Sequence, residues 1–155
     1  MNIKKSSTML RQAVVVIAGI VVLVFMLWEP HLEGRNIHAT LLQIYFNDPF
    51  LAYAYTASIA FFVALWQAFR LISYTRQNKI FSQAAVSALR TIRYCATIIV
   101  GFVAAAEAYL FIVRPGDDIA GGVFMGLLAI AAAGIVAIAA SVAEGVVRSA
   151  IANAH

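Results

Sequence analysis

The sequence predicts an all-α membrane protein, a bundle of four transmembrane helices with both termini cytoplasmic, and three observations carry that reading. Of 155 residues, 63% are hydrophobic and 12% charged, where soluble domains of this size are apolar over nearer one half of their length. The apolar residues fall into four blocks, at about 10–28, 50–73, 92–113 and 119–142, and each suffices at about 1.5 Å per residue to cross roughly 30 Å of hydrocarbon. The cations divide unevenly. With the N-terminus inside, Lys4, Lys5, Arg11, Arg70, Arg76, Lys79, Arg90, Arg93 and Arg148 fall on the cytoplasmic side, and only Arg35 and Arg114 outside. Cytoplasmic loops of membrane proteins carry this excess.

The first block follows Lys4, Lys5 and Arg11 and superficially resembles a secretory leader. It ends in Leu27-Trp28-Glu29-Pro30, with no small residues at the spacing a signal peptidase needs, so an uncleaved helix is expected. Residues 29–49 contain one amphipathic patch, Ile37, Leu41, Ile44 and Tyr45, suited to a short interfacial helix. Glu29, His31, Glu33 and His38 have no recognised metal-ligand spacing, so this segment reads as a solvated loop. The second block carries Phe50, Tyr53 and Tyr55 at one end and Trp66 near the other, the distribution of interfacial anchors.

Residues 74–91 form a basic cytoplasmic connection and the start of the third helix. Ser82 precedes Ala85, Leu89, Ile92 and Ala96, apolar at helical spacing, and so reads as the N-cap. Phe81 is placed to staple onto Val86. Arg76, Lys79, Arg90 and Arg93 make this region a candidate anchor to anionic lipid or a docking face for a partner. The third helix then runs to Val113 with one charge, Glu107. Arg114-Pro115-Gly116-Asp117-Asp118 has the chemistry of a tight helix-to-helix turn; two carboxylates alone fall short of a calcium site. In the Ala- and Gly-rich last span, Gly122, Gly126 and Gly134 are expected to allow close helix packing.

The pattern N-x-x-F-S-x-x-x-V-x-A-L-x-x-I-x-Y-C, carried by Asn78, Phe81, Ser82, Val86, Ala88, Leu89, Ile92, Tyr94 and Cys95, resembles an uncharacterised bacterial four-pass membrane family, the domain of unknown function numbered twenty-nine seventy-five. Residues 61–74 and the Asp117-Asp118 turn before a Gly-rich helix support the resemblance, which covers the last two thirds of the sequence. It implies a multi-pass protein of the bacterial cytoplasmic membrane, often encoded beside a small helix-turn-helix regulator, and implies no reaction. Many members continue into a polar, acidic tail, whereas this sequence ends at Ala154-His155, so contacts made by such a tail are not carried over.

The single cysteine, Cys95, excludes an intramolecular disulfide and a thiolate cluster. The net charge of +4 is not gathered on a soluble face, so nucleic acid is not an expected partner. Signatures of metalloprotease, serine hydrolase and phosphate-loop chemistry are missing. The expected function is therefore non-enzymatic and without a cofactor: one integral membrane domain, residues 1–155, acting in the bilayer by contact with a membrane-protein partner or its own copies, as an accessory, immunity or signalling subunit. The alternative is a small oligomeric transporter or channel using Glu107. That side chain either reaches toward water and Arg114, or faces the bundle interior near Tyr53, Tyr55 or Thr56 as a titrating group for proton-linked transport or a switch.

Overall fold

The computed structural model describes residues 3–32, 40, 49–113 and 120–154, and all of its elements are helices: α1 (Ile3–Leu32), α2 (Pro49–Arg76), α3 (Gln83–Val113) and α4 (Ala120–Ala152). Each is long and apolar enough to span a membrane. At 28 to 33 residues they are about 42 to 50 Å long, which exceeds a roughly 30 Å hydrocarbon core, so every helix has ends beyond it. The spans set from hydropathy stop short of the helices because polar residues cost little outside hydrocarbon. The last helix accordingly runs through Glu144 and Arg148 to Ala152 instead of ending near residue 142.

The helices pack in chain order, α1 on α2, α2 on α3 and α3 on α4. Three pairs fix α1 antiparallel to α2: Gln12 donates from Nε2 to Ser73 Oγ at 2.6 Å, Gly19 lies against Leu65, and the Tyr55 hydroxyl donates to the Met26 carbonyl at 3.1 Å. A Cβ at Gly19 would stand 2.7 Å from the Leu65 Cδ2 methyl, so the glycine sets the approach. Tyr53 ties α2 to α3, donating to the Phe102 carbonyl at 2.6 Å with its ring centroid 5.0 Å from that of Phe102.

Large apolar side chains along all four helices are exposed, among them Phe25, Trp66, Ile112 and Ile138. In water that surface would be untenable; in lipid it is the expected exterior. Ser58 and Thr97 satisfy their hydroxyls by donating to the carbonyls of Tyr55 and Arg93, which suits apolar surroundings.

Burial is concentrated at the end where α3 begins and α4 finishes, hereafter the basic end. Ala85, Val86, Ala88, Leu89, Ile92, Cys95 and Ala96 form the buried face of α3, and Ala140, Glu144 and Val147 that of α4. Val86, Leu89 and Val147 make the centre of this core, with Leu71, Ala143 and Ile151 packed around it. Three helices thus converge at the basic end.

Candidate functional site

Two carboxylates at the α3–α4 seam, the buried Glu144 and the half-buried Glu107, define the candidate site. The α2–α3 joint sets the start of the helix whose arginines meet Glu144. Asn78 takes a left-handed conformation, φ 55°, a region that costs Asn less than most residues. Its amide donates to the Thr75 carbonyl at 3.3 Å and the Lys79 amide to the Tyr74 carbonyl at 2.9 Å, so the last carbonyls of α2 are closed in a Schellman motif. Three residues on, the Ser82 hydroxyl accepts from the Ala85 amide at 3.3 Å and caps α3. Its own proton goes to the Lys79 carbonyl at 2.7 Å. The expected staple differs: Phe81 stays 62% exposed, and Val86 is buried against the α4 core instead.

Two to three turns into α3, Arg90 and Arg93 turn toward α4. Arg90 donates from Nε to Glu144 Oε1 at 3.1 Å, and Arg148, one turn along α4, brings Nη2 to 2.8 Å from the same oxygen. Arg93 Nη1 lies 3.2 Å from Oε2, an ion pair that lacks hydrogen-bond geometry, so Oε2 is held by charge alone. Glu144 is 3% exposed; the side chains of Arg90, Arg93 and Arg148 are 44%, 32% and 52% exposed. One carboxylate therefore organises three guanidinium groups and leaves two net positive charges. Arg93 also lies 5.0 Å from the ring centroid of Tyr94, an exposed aromatic.

Glu107 sits toward the other end of the same helix pair. Its carboxylate rests on Gly126, where a Cβ would overlap it, and Gly122 faces Leu110 one turn away. Gly126 thus makes room for a side chain, a different use of the small residue from the backbone approach the spacing suggested. Gly134 has open space where its Cβ would be and contributes no close packing within the chain. Glu107 Oε2 is buried without a hydrogen-bond partner among the described residues. Tyr53, Tyr55 and Thr56 do not supply one, because their hydroxyls are committed to the carbonyls of Phe102, Met26 and Ala52.

The sequence-predicted residues therefore divide. Arg90 and Arg93 meet at Glu144, whereas Arg76 and Lys79 stay exposed on the joint. Leu89 and Cys95 are core, and Tyr94 faces outward. Glu144 and Arg148 were not among the candidates. Their signal lay in hairpin geometry, since residues at equal distances from the turn near Gly116 must oppose one another, and that sets Glu144 against Arg90. Arg114, the Asp117-Asp118 turn, the patch Ile37 to Tyr45, Glu33 and His38 lie outside the described residues, as do the side chains of Glu29 and His31. Among the described residues no three His, Cys, Asp or Glu side chains converge.

Four apolar helices around an internal ionic cluster define a multi-pass helical membrane protein. The chain belongs to the family described as "Protein of unknown function (DUF2975)", which matches residues 8–154 and so takes in most of α1 as well as the α2–α3 joint. It is similar to the "Uncharacterized membrane protein YoaS" of Bacillus subtilis, 39% identical over 99 residues; the alignment covers 64% of this chain and 62% of that relative. No solved structure matches.

Proposed function

We propose that this protein is a non-enzymatic subunit of the bacterial cytoplasmic membrane that acts by contact with a membrane-protein partner, with both termini and the basic end inside. The observation that carries this reading is the α2–α3 joint. It is fixed at both ends, by Asn78 after α2 and Ser82 before α3; Lys79 and Phe81 are exposed between those caps, and Arg76 is exposed on the last turn of α2 beside them. A rigid loop presenting two cations and an aromatic suits recognition of an acidic segment, because little ordering entropy is left to lose on binding. The positive-inside imbalance supports the orientation.

The test is affinity capture from membranes solubilised at low detergent, comparing wild type with the triple variant Arg76→Gln, Lys79→Gln, Phe81→Ala. A stoichiometric partner held by wild type and lost by the variant is expected; capture of the same proteins by both would refute the reading. Orientation is read separately, with single cysteines in a Cys95→Ala background. An impermeant thiol reagent applied to intact cells should label a cysteine at Asn36 and spare those at Ser6 and Asn78.

A second reading, a small oligomeric transporter or channel, is favoured by Glu107. A membrane-depth carboxylate with an unpartnered oxygen is a feature of ion pathways. Proton-coupled flux in liposomes that Glu107→Gln abolishes would replace the first reading by this one.

A further inference from the structure

We propose that Arg90, Arg93 and Arg148 form a binding site for a phosphate anion, supplied either by the headgroup of an anionic phospholipid or by free phosphate. This goes beyond partner contact at the joint and uses different residues. Three features carry it. Each guanidinium commits one nitrogen to Glu144, and the remaining N–H groups, on side chains one third to one half exposed, are open to a second anion. Glu144 leaves the group with two net positive charges, and it is the only carboxylate at this end among the described side chains. Guanidinium forks match phosphate oxygens in shape and resist deprotonation.

Position supplies the third feature. The uncharged run of α3 begins after Arg93 and that of α4 ends before Glu144, so the cluster lies where hydrocarbon gives way to headgroups. Tyr94, exposed beside Arg93, is a residue that favours this level. Basic pockets between helices at the headgroup level bind anionic lipids. The buried carboxylate acts as a positioning residue. Without it, three like charges would repel and their side chains splay.

That role separates a built site from diffuse attraction, because Glu144→Gln makes the protein more positive while releasing the arginines. Wild type, Glu144→Gln, the triple variant Arg90→Gln, Arg93→Gln, Arg148→Gln, and a control with Arg11→Gln and Arg70→Gln are placed in nanodiscs of mixed phosphatidylglycerol and phosphatidylcholine. Retained lipid is counted by native mass spectrometry, and helical content confirms folding of each. Wild type is expected to retain phosphatidylglycerol selectively; the triple variant should lose this by about tenfold or more, Glu144→Gln should also weaken it, and the control should change it little. Stronger retention by Glu144→Gln, or equal loss in the control, would overturn the proposal. Should Glu144→Gln fail to fold, the triple variant against its control still decides the matter. Competition by inorganic phosphate distinguishes the sources: displacement of the lipid at low millimolar phosphate assigns the site to free phosphate, and resistance assigns it to the headgroup. Unchanged lipid retention in the triple variant with loss of a co-purifying acidic protein would also overturn the proposal, making the surface a protein contact.

Discussion

Glu107 and Glu144 lie on opposite helices of the same hairpin, the first half-buried and the second buried, both at the α3–α4 seam, yet they are treated in opposite ways. Glu144 is surrounded by three arginines near the membrane surface. Glu107 has a glycine beneath it and an oxygen with no partner among the described residues. A carboxylate in apolar surroundings is costly unless paired, so the first is a fixed structural element and the second has an unmet demand that an ion or a movement of α4 could satisfy. The contrast teaches that an internal charge does not by itself mark a functional site. Each keeps its Oε2 without a hydrogen bond, but that of Glu144 faces the Arg93 guanidinium and that of Glu107 faces no cation among the described residues.

The largest effect should come from breaking the satisfied member. Glu144→Ala leaves three guanidinium groups crowded without a counter-charge, and about 2–3 kcal/mol of stability should be lost, less than for a fully buried pair because the arginines are partly solvated. The thermal midpoint in detergent micelles reads this, and an unchanged midpoint would show the cluster to be incidental. Next is Gly126→Val, which must displace the Glu107 side chain or push α4 from α3, at about 1–2 kcal/mol. Combining it with Glu107→Ala should recover most of the loss, and failure to recover would mean that the glycine serves backbone contact instead.

Glu107→Gln should move stability the other way. It keeps the shape and adds an amide donor beside an oxygen that has no partner, so a gain of up to about 1 kcal/mol is expected where Glu144→Gln gives a loss. Equal signs for the two variants would erase the distinction between the carboxylates. Smallest is Gly134→Ala, whose new methyl meets nothing and improves helix propensity, for a change within about 0.5 kcal/mol. A large loss there would reveal a close contact outside the single chain.

The architecture was legible in the sequence because hydrocarbon imposes a simple demand, long uncharged helices, and four such runs are visible without any knowledge of packing. The joint was legible too: Ser82 before an apolar 85-89-92-96 face is a local signal, and the cap and the buried face follow from it. The pairing of Arg90 and Arg93 with Glu144 was not, because the partners are far apart in sequence, 54 residues for Arg90. Ending the last span near residue 142 left Glu144 looking like an ordinary surface acid. Read locally, the arginines were an unopposed cationic face; only the register of the hairpin shows that their counter-charge lies across the seam. Glu107 stood out as the lone charge in its span, but what lies opposite it depends on helix rotation, which no periodicity in so small-residue-rich a helix as α4 specifies.

Chain order gives the seam between α3 and α4 a further meaning. Synthesis proceeds from the N-terminus, so α1, α2 and α3 reach the membrane before α4 exists. During that interval Arg90 and Arg93 have no carboxylate to hold them and Glu107 has no glycine to shelter under. Arrival of α4 settles both ends of the seam at once, delivering Glu144 and Arg148 at one end and Gly126 at the other. A chain interrupted before α4 would therefore leave the Glu107 carboxylate uncovered within its third span.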